Sequence, residues 1–247
     1  MCKELKMLII HDKRLPLAYK ESLLDKYPDA ILQPLRIKQK RGKKRVYKSI
    51  LYHPDIYFFQ LDEKTLIHAP ALAEDQLEPL KKRGITLIKG RGDPFGEYPD
   101  TVRFNAARVG KFVFHNFRYT DPAILEVIEK KGLEPVNVSQ GYTRCSMLVA
   151  SDNAIITENR GIFEAARERG IDSLLLAERA VLLPGEKYGF IGGSGTRKYD
   201  GALLMLGDLR MHPEVSRIEH FLNACRIQFT LLEDMPLYDA GGLVIAE

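Results

Sequence analysis

One pattern recurs five times along the chain and limits what it can fold into: an apolar run, a polar break, then an amphipathic helical stretch. The junctions read LIIHDK from Leu8, LIHAPA from Leu66, FVFHNF from Phe112, IITENR from Ile155 and LMLGDL from Leu204. Successive starts lie 58, 46, 43 and 49 residues apart. A further 51 residues lead from the last start, through the C-terminus, back to the first if the ends are joined. A spacing in this range is the mark of a repeat architecture.

The parts of each repeat are alike. After the junctions, helices are expected over residues 17–27, 71–83, 122–131, 161–169 and 213–225. Asp121 reads as an N-cap with Pro122 at the first helical position. Gly84, Gly132 and Gly170 follow three of the helices, where a left-handed C-cap favours glycine. A β-rich run follows each helix (AILQPL, ITLIKG, LEPVNVS, IDSLLLA, IQFTLLE). A second leads into the next junction (HPDIYFFQ, NAARVG, CSMLVAS, YDGALLM, DAGGLVIAE). Each unit is therefore two strands, a helix and a strand. The fifth unit is split: its first strand lies at residues 243–246 and its second at residues 7–10, so pairing of the chain ends would close a ring. An open, doubly wound sheet also alternates strand and helix. Its phosphate-binding signature is missing, because GGSGTRK at residues 192–198 precedes β-rich sequence rather than a helix N-terminus.

Composition adds a class. The chain has 247 residues, 45% hydrophobic and 28% charged, which excludes disordered, collagen-like and disulfide-scaffold proteins. No window approaches the roughly 18–20 apolar residues of a membrane span, and the N-terminus lacks the pattern of a secretory leader. Cys2, Cys145 and Cys225 cannot all pair within one chain and have no metal-ligand spacing. The expectation is a reduced, cytoplasmic, single-domain protein over residues 1–247, with no cofactor and no metal.

Charge is unevenly spread. Residues 36–48, RIKQKRGKKRVYK, hold eight basic residues and no acidic one. Without them the chain has 29 basic and 33 acidic residues, a net charge of −4. A strip of this kind either joins two elements as a solvated loop or binds phosphates, as a nucleic-acid partner requires.

Five ββαβ units closed through the termini resemble the pentein fold, the α/β-propeller of the guanidine-modifying enzymes. That superfamily contains arginine and agmatine deiminases, dimethylargininases, amidinotransferases and a non-catalytic ribosome anti-association factor. The phrases NAARVGKFVFHN, QGYTRCSMLVASDNAIITEN, YGFIGG and YDAGGLVIAE are most similar to an uncharacterised bacterial branch of that fold.

The resemblance implies a site where the strand starts converge on a central channel. The residues placed there are His53, Asp55, Asn105, Cys145, Asp200 and Asp239. The chemistry of the superfamily needs a cysteine nucleophile, a histidine to move protons and carboxylates to hold a planar cation. His53-Pro54-Asp55 has the His-x-Asp spacing of the family's histidine motif, and Cys145 follows two units later, as in those enzymes. Cys145 stands in TRCSML rather than in the glycine-asparagine context near the C-terminus, so the order along the chain is permuted. The resemblance thus implies Cys145 as nucleophile, His53 as general acid/base, Asp55 as its partner, and Asn105, Asp200 and Asp239 as substrate-binding groups.

Structural roles stand beside these. Cys145 is small enough for plain burial, Asp55 for a local turn bond, and His53 for a backbone partner. Asn105 and Asp239 also suit turns. Asp200-Gly201 suits a hairpin turn. Cys225 falls on the apolar face Ile218, Phe221, Leu222, and His11, His68, His115 and His212 sit at junctions or helix starts. Two functions follow as expectations. One is a cysteine-dependent hydrolase or transferase acting on a guanidino or related small cationic compound. The other is a non-catalytic module docking on ribosome, RNA or protein through the strip at 36–48.

Overall fold

A computed structural model describes residues 6–38 and 46–247. Most of the basic strip, including Lys43, Lys44 and Arg45, lies outside the described residues, as does Cys2. The first segment supplies β1 (Leu8–His11), α1 (Leu17–Lys26) and β2 (Ile31–Pro34), and a one-turn helix α2 (Pro54–Tyr57) leads into the second. That second unit comprises β3 (Phe58–Asp62), β4 (Thr65–His68), α3 (Glu74–Lys81) and β5 (Thr86–Lys89). The third has β6 (Ala107–Val109), β7 (Phe112–His115), α4 (Pro122–Lys130) and β8 (Glu134–Asn137). The fourth has β9 (Met147–Ser151), β10 (Ala154–Thr157), α5 (Arg160–Arg167) and β11 (Asp172–Leu175). The fifth has β12 (Gly195–Arg197), β13 (Leu203–Met205), α6 (Val215–Ala224) and β14 (Phe229–Thr230), and the chain ends in β15 (Val244–Ala246).

These strands form five three-stranded sheets with one topology. In each, the first strand pairs antiparallel with the second through a short hairpin, and the second pairs parallel with the third across the helix. The geometry requires this, since a parallel neighbour needs a long crossover and an antiparallel one does not. The split unit obeys the same rule with its first strand taken from the other end of the chain. β15 pairs antiparallel with β1, with Ile9 opposite Ile245, and β1 pairs parallel with β2.

The first strands face the middle of the molecule. β3 packs on β6, β6 on β9 and β9 on β12. The ring continues through Thr196, whose hydroxyl accepts from Leu243 N at 2.7 Å, and through Gly241 O, which accepts from Asp55 N at 3.2 Å. The second strands are covered on both faces and read as unbroken apolar runs, as such strands do. Every residue of β1, β10 and β13 is buried.

The cores lie between units rather than within them. Ile162 and Ala166 of α5 pack with Ile155 and Met147 of their own unit and with Val136 and Val109 of the preceding one. Tyr19 and Leu23 of α1 pack with Leu204, Leu206, Ala240 and Ile245. The expected helices and caps are present, each within a few residues. Asp121 accepts from Ala123 N at 3.0 Å, and Gly84, Gly132 and Gly170 have left-handed φ of 73°, 61° and 71°. Among the described residues, no helix is long and apolar enough to cross a membrane.

Candidate functional site at the hub

The strand starts carry a buried polar cluster. Cys145 sits in a turn whose residues just precede β9. Its thiol donates to Asp55 Oδ2 at 2.8 Å and accepts from Asn105 Nδ2 at 3.3 Å. Asn105 fixes this arrangement from both ends of its amide: Nδ2 also donates to Asp55 O at 3.1 Å, and Oδ1 accepts from Cys145 N at 3.2 Å. One side chain thus ties the second, third and fourth units together.

His53 lies beside this group, between two carboxylates. Its Nε2 is 3.7 Å from Asp12 Oδ2, and its Nδ1 is 3.7 Å from Asp239 Oδ1. Neither distance is a hydrogen bond. His53 Nδ1 and Asp55 Oδ1 are both buried with no hydrogen-bond partner among the described residues. Buried polar atoms of this kind are rare and call for an explanation. Asp239 is held by backbone amides, Phe190 N to Oδ2 at 2.9 Å and Gly241 N to Oδ1 at 3.0 Å. Asp12 is clamped by Arg14, whose backbone N and Nη2 reach its two oxygens at 2.6 Å and 2.7 Å. Glycine is required at 241: φ is +68°, and a Cβ there would collide with His53 and crowd Asp55.

Burial sets the protonation of the cluster. It raises the Asp55 carboxyl to about 6, against the opposing pull of the thiol, Arg144 and Asn105. It also raises Asp239, which His53 partly offsets. The Cys145 thiol is pushed well above its ordinary value by burial and by the Asp55 and Asp239 carboxylates. His53 is pushed down by burial, with Asp239 and Asp12 acting the other way. Burial thus favours the protonated thiol and the neutral imidazole.

Of the residues singled out from sequence, Cys145, His53, Asp55, Asn105 and Asp239 come together here. Asp200 does not. It occupies the exposed turn between β12 and β13, where its carboxylate takes Lys198 Nζ and Ala202 N at 2.6 Å and 2.9 Å. The Asp-Gly pair serves the turn, with Gly201 at φ +85°. The His-x-Asp motif is also displaced from the expected strand start. His53 caps α2 and Asp55 lies in its single turn, because Pro54 suits a first helical position.

Three hub residues were missed. Asp12 and Glu158 occupy the polar breaks of their junctions, LIIHDK and IITENR, where a carboxylate directly after a buried strand was the available signal. Glu158 Oε1 accepts from Ile191 N at 2.9 Å, Oε2 has no hydrogen-bond partner among the described residues, and burial lifts the group to about 8. Arg144 adjoins the thiol, and its guanidinium donates to Gly192 O and Gly195 O at 2.6 Å and 2.9 Å. Four other histidines have structural partners: His11 and His68 bond to neighbouring carbonyls, and His115 spans Thr120 and Gly141. His212 accepts from Glu214 N at 3.1 Å. Cys225 is half-buried at the edge of the core. No group of three or more histidine, cysteine, aspartate or glutamate side chains is set to hold a metal among the described residues.

A family model spans residues 18–244 and is described as a family of unknown function, DUF6873. The chain belongs to that family. No curated protein sequence matches this DUF6873 chain. Two solved structures resemble it. One is DDAH from Pseudomonas aeruginosa, a cysteine-to-serine mutant complexed with citrulline. It is 8% identical, with 92% of this chain and 91% of that one covered and a TM-score of 0.52. The other is inosamine-phosphate amidinotransferase from Streptomyces griseus, 12% identical, with 93% and 78% covered and a TM-score of 0.54. Both are pentein superfamily members, and the DUF6873 chain has their five-unit α/β-propeller fold.

Proposed function

We propose that the protein is a cysteine-dependent hydrolase or transferase acting on a guanidino or related small cationic compound. The observation that supports this most directly is the single buried hub in which the Cys145 thiol meets Asp55 and Asn105 while His53 stands between Asp12 and Asp239. Three carboxylates around one imidazole and one thiol suit a planar cation, which carboxylates grip through paired N–H bonds. The resting thiol is too weak an acid to be a nucleophile alone. A guanidinium entering between Asp55 and Asp239 brings the missing positive charge, which favours the thiolate. Asp55 accepts the thiol proton, and the thiolate attacks the guanidinium carbon to form a C–S bond. As the C–N bond breaks, the proton held by Asp55 passes to the leaving amine, and the neutral His53 takes a proton from the incoming water or amine and returns it to the departing thiolate. Water completes a hydrolysis, and a second amine completes a transfer; both regenerate the thiol. The neighbours named for citrulline and for amidino transfer support the general class of reaction.

The test is to incubate purified protein with arginine, agmatine and methylated arginines and to assay ureido products and released amine. Turnover that disappears in Cys145→Ser, with a covalent adduct trapped on Cys145, is the expected result. No product from any of these compounds and no adduct would remove this reaction class.

A further inference from the structure

The three carboxylates around His53 are held in different ways. Asp239 is fixed by two backbone amides, and Asp55 takes the Cys145 thiol, both inside the hub. Asp12 is held by a cation. Among the described residues, Arg14 and His53 are the only basic side chains within ion-pair reach of its oxygens. Arg14 N and Nε donate to Asp12 Oδ1 at 2.6 Å and 3.1 Å, and Nη2 donates to Oδ2 at 2.7 Å. A planar guanidinium matches two carboxylate oxygens in this way, and an ammonium does not. Oδ2, the oxygen facing His53 Nε2, is thus committed to Arg14, and the gap to the imidazole stays at 3.7 Å.

The same guanidinium reaches a second segment. Nη1 donates to Lys48 O, and Nη2 donates to Ser49 O at 2.7 Å. These carbonyls belong to the 3₁₀ turn Lys48–Ile50, and Ile50 O accepts from His53 N at 3.1 Å. The Tyr52 ring lies 5.5 Å from the guanidinium carbon. One side chain therefore joins the carboxylate beside His53 to the backbone that carries His53. The Arg14 side chain is 37% exposed and that of Asp12 only 3%, so loss of the arginine strands a buried charge without opening the core.

We propose that Arg14 is a positioning residue of the hub: its fork holds the Asp12 carboxylate off the imidazole and fixes the turn before His53, so that His53 keeps Nε2 free to take up a proton. That this base serves the reaction proposed above rests on that reading, whereas the hold on Asp12 does not. Burial lowers the proton affinity of His53, Asp239 and Asp12 oppose it, and Arg14 adds to the lowering. The other ionisable groups of the hub, Asp55 in α2 and Cys145 before β9, bond to each other. Without Arg14, the nearest cation that Asp12 can recruit is a protonated His53.

The test follows His53 by NMR of histidine-labelled protein, with its signal assigned through His53→Gln. Arg14→Gln should raise the His53 titration midpoint by about one unit or more, a tenfold gain in proton affinity. Adding Asp12→Asn should abolish that rise, leaving the double variant within about 0.3 unit of Asp12→Asn alone. No rise in Arg14→Gln overturns the proposal. So does an equal rise when Asp12→Asn is already present, which would mean that Arg14 acts only as a nearby charge. Should Arg14→Gln not fold, the wild type decides. Its nitrogen-15 spectra should resolve separate, slowly exchanging Nη signals for Arg14, and one averaged signal overturns the hold on Asp12. Where a guanidine is turned over, Arg14→Gln should move the acidic limb of the kcat profile up with His53 and change KM by less than about twofold. A limb that stays in place overturns the positioning role. A chain inert to every guanidine that still shows the Asp12-dependent rise keeps the role of Arg14 and loses the reaction.

Discussion

Glu158 illustrates how one buried carboxyl shapes the whole protein's response to pH. Its ordinary value is 4.5, and burial in the fold raises it to about 8, with Arg179 and Ile191 N opposing and Asp239 adding to the rise. Below pH 4.5 the folded and unfolded chains both hold the proton, so the group leaves stability intact there. As pH climbs toward 8 the unfolded chain releases the proton while the folded chain retains it, and stability falls through that window. Glu158→Gln keeps an acceptor for Ile191 N but has no proton to lose. The variant should match the wild type near pH 4 and exceed it at pH 8.5 by on the order of 3 kcal/mol. In thermal unfolding that is a gap of roughly 5–10 °C at the higher pH. Parallel melting curves for the two proteins across this range would show that Glu158 is solvated instead. The residue was hard to find from sequence because IITENR reads as a junction break, and only the fold turns that break inward.

The elements were the most legible level, for reasons visible in particular residues. Asp121-Pro122 marked the start of α4, and Gly132 marked its end, because cap and turn geometry is written in local chemistry. α2 was not marked. It is only one turn long, and its apolar residues Ile56 and Tyr57 continue without a break into β3, so the run read as one strand. The hub was half legible: Cys145, His53 and Asp55 lay at the predicted ends of runs, whereas Asp200 shared the same placement and proved to be a turn residue. Spacing in sequence shows which end of a strand a residue occupies, not whether it points inward. The caps themselves differ in weight. Among the described residues, the Asn159 side chain accepts only from Ile162 N, at 3.0 Å, to start α5. Asp121 accepts from Ala123 N and also from Arg91 N and Gly92 N, at 3.0 Å and 2.9 Å, in the loop entering from the unit before. Asn159→Ala should cost about 1 kcal/mol, the usual value for a lost cap. Asp121→Ala should cost about 3 kcal/mol, because it also leaves two more amides without their acceptor. Equilibrium urea unfolding at pH 7 measures both, and equal losses would mean that Asp121 does not bind the neighbouring loop.

For the molecule as a whole, closure rests on three residue pairs between the chain ends: Leu8 with Ala246, Ile9 with Ile245, and Ile10 with Val244. All six side chains are buried, and Ile9 and Ile245 belong to the core that α1 shares with the fifth unit. Removing residues 243–247 exposes that core and leaves β1 without its antiparallel neighbour. Burial of a single large aliphatic side chain contributes roughly 1.5–3 kcal/mol, and a domain has only about 5–15 kcal/mol in total. The truncated chain should therefore lose cooperative unfolding and bind hydrophobic dyes. If the ends matter only because they are paired, joining them should be harmless. A circular permutant with the old termini linked and new ones opened between Gly185 and Glu186, in an exposed loop between the fourth and fifth units, tests this. It should unfold cooperatively within about 2 kcal/mol of the parent, since no core contact is cut. It should also keep the parent's rate of Cys145 reaction with a thiol reagent, because the hub that buries this thiol is built from segments that the new break leaves intact. A permutant as damaged as the truncation would mean that the 185–186 loop, rather than the β15–β1 seam, holds the ring together.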